Sequence, residues 1–224
     1  MNGKIRLRNL LNIALILCLL YVQLLLVYAF ILQKIESGGF HFCGDSSKGK
    51  STTLDIAASV FWGNPYILDW NITDAAFEQY AESRNHGLFL ADELVLIEAN
   101  KQVAAQKMQK FVYMIGSGLG KLRSNTYQEH LASWQFVALS NGENALSQHA
   151  SEGQMKRKNG EKARFIDIPV SCNNDMGIFS SLPKGMSSSA EYVERLKVDY
   201  SDNYGTAGDG FILKILSKVR KKIF

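Results

Sequence analysis

The stretch Gly39-Phe40-His41-Phe42-Cys43-Gly44-Asp45-Ser46-Ser47-Lys48-Gly49-Lys50-Ser51 decides the fold of this chain. Its last eight residues, Gly44–Ser51, match the pattern GxxxxGK[ST] at every fixed position. An apolar run, Gly39–Cys43, precedes the match, and residues that favour a helix follow it from Lys50 to about Phe61. A strand, a glycine-rich loop and a helix in this order predict a P-loop.

Each residue type in this loop suits contact with phosphate groups. Glycines let backbone N–H groups surround phosphate oxygens, and the helix that follows adds a partial positive charge at its N-terminus. We expect Lys50 to neutralise the β- and γ-phosphates during catalysis, and the Ser51 hydroxyl to ligate Mg²⁺. The expected nucleotide-binding residues of this segment are Gly44, Asp45, Ser46, Ser47, Lys48, Gly49, Lys50, Ser51 and Thr52.

A second apolar run ends in two carboxylates, Leu88-Phe89-Leu90-Ala91-Asp92-Glu93. This arrangement is typical of a Walker B element, in which Asp92 would hold Mg²⁺ and Glu93 would polarise the attacking water. A GTPase should carry an NKxD motif, and the segment Asn100-Lys101-Gln102-Val103 lacks the Asp. ATP and Mg²⁺ are therefore the expected cofactors.

A third strand candidate, Trp134–Ser140, runs into Asn141. In this class of ATPase a polar residue at that place senses the γ-phosphate, so Ser140 and Asn141 are both candidates. An arginine, supplied in cis or by a neighbouring subunit, usually completes the transition state. Arg123 and Arg164 are the candidates, with ordinary surface charge as the alternative.

Strand-like and helix-like segments alternate along the rest of the chain, which predicts βαβ units. The predicted fold is an α/β P-loop NTPase with a mainly parallel central sheet flanked by helices, preceded by a long apolar helix. Further strands are expected at Tyr66–Trp70, Gly87–Ala91 and Phe165–Ile168, and further helices at Thr73–Arg84, Glu98–Ile115 and Glu143–Ala150. Polar composition predicts loops at Ser151–Lys162 and Pro183–Ser189, and Thr206–Phe224 is expected to form a basic amphipathic helix.

The run Leu10–Leu32 carries no charge and is long enough to cross a bilayer. If this run were a membrane anchor, Lys4, Arg6 and Arg8 would keep the N-terminus in the cytoplasm. All residues after Leu32 would then be exported. The anchor would also place a central strand against the membrane. We therefore favour a core helix and a cytoplasmic protein, with inner-membrane association through residues 10–32 as the alternative. The expected organisation has three parts. Residues 1–37 form a basic segment and the apolar helix, residues 38–198 form the P-loop ATPase core, and residues 199–224 form a basic helical tail.

The composition excludes several classes of protein. Hydrophobic residues make up 46% of the 224 residues and charged residues 21%, values that exclude a disordered or collagen-like chain. Cys18, Cys43 and Cys172 show neither CxxC spacing nor an even number, so they predict no disulfide framework or zinc site. Basic residues cluster between Lys156 and Arg164, and within this cluster the loop Lys156–Lys162 is the candidate for contact with DNA phosphates. The four histidines have no metal-ligand spacing, and we assign them no role.

Several ordered blocks resemble domain-of-unknown-function family 927. They are GFHFCGDSSKGKSTTL, GLFLADEL, YMIGSGLGKLR, LSNGE and FIDIP, and the likeness extends from about Asn9 to about Leu216. Members of that family are P-loop ATPases of phages, plasmids and integrative elements, described as helicase-like and often found with primase modules. The resemblance implies that Leu10–Leu32 matches a helix of a soluble domain, although this copy is Leu-rich where the family is richer in alanine. It also implies that further regions lie upstream in full-length relatives.

Two function classes follow from these motifs and the resemblance. The first is a helicase-like Mg²⁺-dependent ATPase that acts on DNA for a mobile element, as an oligomer with an arginine supplied in trans. The second is a nucleotide-switched interaction protein with little turnover, membrane-anchored or not. Glu93 favours the first, because a pure switch does not require it.

Overall fold

Five strands form one sheet within the described part of the chain, and every pairing between them is parallel. The computed structural model describes residues 36–60, 67–121, 131–170, 176–179 and 181–223. The strands are β1 (Gly38–Cys43), β2 (Leu68–Asp69), β3 (Leu88–Asp92), β4 (Val137–Gly142) and β5 (Phe165–Pro169). Their spatial order is β2-β3-β4-β1-β5. Because all the strands run the same way, their carboxyl ends meet at one edge, where ligands bind in open α/β sheets.

Helices connect the strands, as parallel pairing requires. They are α1 (Lys50–Ser59), α2 (Asp74–Ser83), α3 (Lys101–Ser117), α4 (Leu146–Glu152), α5 (Asn159–Arg164), α6 (Ser189–Ser201) and α7 (Thr206–Ile223), with a short 3-10 helix at Leu94–Ile97. The expected α/β class with a mainly parallel sheet flanked by helices is confirmed.

Side-chain caps fix where two of these helices begin. The Thr73 hydroxyl accepts a hydrogen bond from the Ala76 N–H at 3.2 Å and so caps α2 at the first residue of the predicted helix Thr73–Arg84. The Asn100 side chain accepts from the N–H groups of Gln102 and Val103. Helix α3 therefore begins three residues later than the predicted start at Glu98, whose backbone is extended.

The sheet is buried on both faces, and β3 illustrates how the sequence achieves this. Leu88 and Leu90 pack on the α1 side, whereas Phe89 and Ala91 face the α2 and α3 side. Apolar side chains at every position are typical of a parallel strand covered by helices on both sides. The α2–α3 side is rich in aromatic rings, which include Trp70, Phe77, Phe89, Phe111, Trp134 and Phe136.

Two predicted strands differ from the structure by two or more residues at an end, whereas the other three differ by no more than one residue at either end. The expected strand at Trp134–Ser140 is Val137–Gly142, because the Trp134 N–H is bonded to the Gly118 carbonyl, outside the sheet, at 2.9 Å. The expected strand at Tyr66–Trp70 is reduced to Leu68–Asp69 at the edge of the sheet. The first shift matters most, since it places Asn141 inside β4.

The C-terminal part contains helices that the sequence analysis missed. Helix α5 occupies the end of the predicted Ser151–Lys162 loop, and α6 crosses the expected domain boundary at residue 198. Helix α7 confirms the predicted helical tail. Within the described ranges, no helix combines the length and apolar character needed to cross a membrane. The Leu10–Leu32 run lies outside these ranges, so its predicted helix stays a prediction.

Candidate functional site

A cleft of about 260 Å³ opens at the carboxyl edge of the sheet. The loop between β1 and α1 forms one wall, and residues that follow β3 and β4 form the other. The lining comprises residues 46–52 together with Glu93, Gly142 and Glu143. Residues predicted from two sequence blocks, Ser46–Thr52 and Glu93, therefore line one space, and the third block contributes its unpredicted neighbours Gly142 and Glu143.

The β1–α1 loop turns into the helix at Gly49, whose backbone is left-handed, with φ of 88°. A Cβ at this position would lie 2.9 Å from Ile178 Cγ2, so both conformation and space favour glycine. No side chain caps the N-terminus of α1. The first N–H groups of a helix lack partners within the helix, and at an uncapped end they suit an anion.

Lys50 folds back over the loop that precedes it. Its ammonium group donates to the carbonyl oxygens of Gly44 at 2.7 Å and Asp45 at 2.6 Å. The residue is 8% exposed, so the charge is largely withdrawn from solvent. A phosphate group bound in the loop would compete with these two carbonyls for the same ammonium group.

Ser51, Asp92 and Asn141 bring three polar side chains together at the base of the cleft. The Ser51 hydroxyl lies 3.4 Å from Asp92 Oδ1, and the Asn141 amide nitrogen donates to Ser51 Oγ at 3.2 Å. Hydroxyl and carboxylate oxygens are the ligands that Mg²⁺ prefers, usually with water and phosphate oxygens completing the shell. Across the described residues, no group of three or more His, Cys, Asp or Glu side chains could hold a metal by itself. A cation here would need oxygens from a bound ligand or water.

Glu93 has an unusual backbone that its neighbours hold in place. Its φ is 54°, in the left-handed region that few non-glycine residues adopt. The Glu93 N–H donates to Asp92 Oδ1 at 2.9 Å and to Asn141 Oδ1 at 3.0 Å. Strained residues of this kind persist where the surroundings over-determine them, commonly at functional sites. The exposed side chain borders the cleft.

Glu143 belongs to the cleft, and the sequence analysis did not assign it. Its carboxylate accepts a hydrogen bond from the Ser46 hydroxyl, and its backbone carbonyl accepts from the Gly44 N–H at 3.0 Å. The sequence did contain a signal, because Glu143 lies two residues beyond Asn141 in the LSNGE block. A loop residue so close to a strand end at the carboxyl edge belongs to the same neighbourhood.

Ser140 does not line the cleft, contrary to its predicted role as a nucleotide-binding residue. Side chains alternate along a strand, so Ser140 and Asn141 lie on opposite faces of the sheet. Ser140 is 1% exposed, and its hydroxyl bonds to Trp70 Nε1 at 2.9 Å and His41 Nδ1 at 3.0 Å. Of the two sensor candidates, the structure brings Asn141 alone to the site.

Of the two arginine candidates, Arg164 is among the described residues, and it does not lie at the cleft. Arg164 lies at the amino end of β5, the opposite edge of the sheet, where it bonds to the Gly160 carbonyl at 3.2 Å and approaches Glu36 at 3.4 Å. It therefore cannot act on the cleft of its own chain. Arg123 lies outside the described residues. In the basic cluster, the Arg157 side chain is 4% exposed and paired with Asp167 at 3.0 Å, so that charge is structural.

Two titratable groups near the site have shifted pKa values. Burial raises the pKa of the Asp55 carboxyl, the charge of Asp92 adds to that effect, and Tyr200 donates to Asp55 at 3.4 Å. Burial lowers the pKa of the His41 imidazole to about 4, so this side chain is neutral at physiological pH.

Comparison with known proteins adds a family to this geometry. The model of the family described as "Domain of unknown function (DUF927)" matches residues 4–131, more than half of the 224 residues. The chain belongs to this family. This confirms the family expected from the sequence blocks.

Two solved structures are similar to this DUF927 chain, and the first of them shares its fold. One, described as SCCmec type IV Cch, an active helicase, matches with a TM-score of 0.58 and 22% identity, covering 87% of this chain and 32% of that chain. A second, a JCV helicase with bound inhibitor, matches with a TM-score of 0.42 and 13% identity, covering 84% of this chain and 47% of that one. The DUF927 chain thus spans about a third of the length of Cch. No curated protein sequence matches it.

Proposed function

We propose that this chain binds ATP with Mg²⁺ in the cleft and hydrolyses it, as a helicase-like motor on DNA. One observation carries the proposal, namely that Lys50, Ser51 and Glu93 line one cleft, while Asp92 and Asn141 contact Ser51 and the Glu93 N–H beside it. They come from the ends of three parallel strands. The site contains an ammonium group, an uncapped helix end, two side chains with oxygen atoms that could bind Mg²⁺, and an exposed carboxylate. Groups of these kinds position the substrate and stabilise charge in phosphoryl transfer.

The residues present fit a nucleoside triphosphate. The loop at Gly44–Gly49 and the first turn of α1 would hold the phosphates, and Lys50 would move from two backbone carbonyls to phosphate oxygens. Ser51 and Asp92 would hold Mg²⁺, which neutralises developing charge on the phosphates when it is bound.

Glu93 and Asn141 would carry the hydrolytic step. An exposed carboxylate at the rim can accept a proton from a water that attacks the terminal phosphate. Asn141 binds both the Ser51 hydroxyl and the Glu93 backbone N–H. It can therefore align the proposed Mg²⁺ ligand, Ser51, with the proposed base, Glu93. Turnover rather than simple binding is therefore the function that we propose.

Action on DNA depends on more than this cleft. We propose an oligomer in which a neighbouring subunit supplies the arginine, with Arg164 or Arg123 as the candidates, since Arg164 cannot reach the cleft in cis. A primase module encoded with this chain and a role in mobile-element replication follow from the resemblance. The Cch structure, an SCCmec protein whose description names a helicase, supports this proposal at the level of the fold.

Steady-state ATP hydrolysis with and without single-stranded DNA tests the proposal. We expect Mg²⁺-dependent turnover that DNA stimulates and that Glu93→Gln reduces by about 10²-fold or more. Glu194→Gln is the matched control, because Glu194 lies on the surface of α6 and pairs with Lys197. Nucleotide binding with no hydrolysis in any condition would favour the nucleotide-switched interaction protein instead. Full activity in Glu93→Gln would exclude Glu93 as the base.

A further inference from the structure

Three buried polar side chains lie directly behind Asn141, on the α2–α3 side of the sheet. Trp70 Nε1 lies 2.9 Å from Ser140 Oγ, and His41 Nδ1 lies 3.0 Å from the same oxygen. The other ring nitrogen, His41 Nε2, lies 3.0 Å from the Asn144 carbonyl oxygen. Trp70, Ser140 and His41 are 3%, 1% and 0% exposed. Together they form a hydrogen-bonded chain from the aromatic core to the loop after β4.

The partners fix the direction of each bond. A carbonyl oxygen only accepts, so Nε2 of His41 carries the proton and Nδ1 accepts. The Ser140 hydroxyl therefore donates to His41 and accepts from the Trp70 indole, which only donates. Every polar atom of this chain of bonds has a partner, as a buried network must to be stable.

We propose that Trp70, Ser140 and His41 form a positioning relay that holds Asn141–Asn144 against the cleft and thereby orients Glu93. The inference rests on the proposed function, since it concerns the residues that we place in hydrolysis. It gives a role to His41, which the sequence left without one, and it replaces the sensor role expected for Ser140.

The four-residue segment is fixed at both ends. At its start, Ser140 is locked by two bonds, and the next residue, Asn141, bonds to Ser51 and to the Glu93 N–H on the other face. At its end, the Asn144 carbonyl is held by His41. Since Glu93 is held in a left-handed conformation by two hydrogen bonds, a displacement of Asn141 would remove one of them.

Gly142 shows how closely the imidazole packs under this segment. A Cβ at Gly142 would lie 3.1 Å from His41 Cε1, a contact that would force one of the two to move. The ring and the backbone of the segment therefore fit each other closely, and neither can shift alone. Close packing of this kind transmits a small displacement to the site.

Two substitutions at His41 separate positioning from simple core packing. His41→Leu removes both bonds, whereas the longer side chain in His41→Gln keeps an amide donor near the place of Nε2. We expect His41→Leu to lower the turnover number for ATP by about 10- to 100-fold, because a misplacement of about 1 Å can have that effect. The dissociation constant for ATP should change less than the turnover number, since Lys50 keeps its own bonds to Gly44 and Asp45. Among the described residues, the segment bonds to that loop through Glu143 alone. His41→Gln should recover most of the turnover.

His149→Gln is the matched control, because His149 is a half-buried histidine on α4 that does not line the cleft. It should keep the turnover number of the unmodified chain. Equal turnover in His41→Leu and the unmodified chain would overturn the relay, as would a parallel loss of ATP affinity and turnover in both His41 variants.

An NMR measurement decides the relay independently of hydrolysis. The imidazole nitrogens of His41 should report the Nε2–H form, and the amide signals of Asn141 and Glu93 should move in His41→Leu and return toward their original positions in His41→Gln. Unmoved amide signals would refute the relay. If the unmodified chain neither binds nor hydrolyses ATP while these shifts occur, the proposed function fails and the relay stands as an element of structure.

Discussion

Lowering the pH should destabilise this protein through His41. Burial lowers the pKa of the folded imidazole from 6.5 to about 4, an effect larger than the opposing ones of the Asn144 carbonyl and the Asp167 charge. The nearby His149 and Arg157 act in the same direction as burial. Between these two pKa values the unfolded chain binds more protons than the folded one. The contribution of His41 is therefore complete above pH 6.5 and is lost as the pH falls toward 4.

The size of the effect follows from the two pKa values. One pKa unit corresponds to about 1.4 kcal/mol, so the full difference from 6.5 to about 4 corresponds to about 3 kcal/mol. At about pH 5 most of the unfolded histidine is protonated and most of the folded one is not. His41 should then lower the free energy of unfolding by about 2 kcal/mol relative to about pH 8.

Urea unfolding at these two pH values measures the effect. Carboxylates also respond to pH, so the informative quantity is the difference between the unmodified chain and His41→Gln, which cannot take up a proton. The drop in the free energy of unfolding from about pH 8 to about pH 5 should be smaller in the variant by about 2 kcal/mol. The same drop in His41→Gln as in the unmodified chain would refute the reasoning.

Three further substitutions test the site and the core. Asn141→Ala should reduce ATP turnover by about 10²-fold while ATP affinity changes little, because it removes contacts that orient the reacting groups; undiminished turnover would exclude that role. Phe77→Ala, at a fully buried ring, should lower the free energy of unfolding by about 3–5 kcal/mol in urea unfolding. Tyr80→Ala, on the same helix at 38% exposed, is its control, and equal losses would contradict the packing argument. Gly49→Ala should destabilise the protein by about 1–2 kcal/mol through left-handed strain, whereas Gly210→Ala, in open space on α7, should stabilise it by about 1 kcal/mol.

The strand-and-loop pattern made most of the site predictable from the sequence. A P-loop motif needs a strand before it and a helix after it, and the sequence supplied both around Gly44–Ser51. Asp92 and Glu93 were predictable because an apolar run buried on both faces must be a central strand, so its end lies at the ligand-binding edge. These inferences depend on local pattern alone.

The choice between Ser140 and Asn141 could not be made from the sequence. Period-two alternation places neighbours on opposite faces, but the sequence does not reveal which face carries α1. That depends on strand order and on the crossover helices, which are tertiary properties. The register was also obscured by Trp134, an aromatic residue typical of strands that instead packs before β4 begins.

The contacts of His41 and the burial of Arg157 could not be predicted from the sequence either, because both depend on tertiary structure. The hydrogen-bond partners of His41, Ser140 and Asn144, are about a hundred positions away in the sequence. No local sequence pattern therefore predicts these contacts. Arg157 resembled surface charge, yet its side chain is buried against Asp167, on β5. Burial of a charged pair depends on tertiary packing, so the sequence carries no local signal of it.

Calorimetric titration of ATP, with and without Mg²⁺, tests the central claim most directly. We predict binding that depends on Mg²⁺ and that Lys50→Ala weakens by about tenfold or more, since a charge-assisted contact between Lys50 and phosphate would be worth about 1.5–3 kcal/mol. Lys197→Ala is the control, because Lys197 pairs with Glu194 on the surface of α6 and should leave the affinity unchanged. Binding of equal strength in Lys50→Ala and the unmodified chain, or no binding in either, would contradict the account.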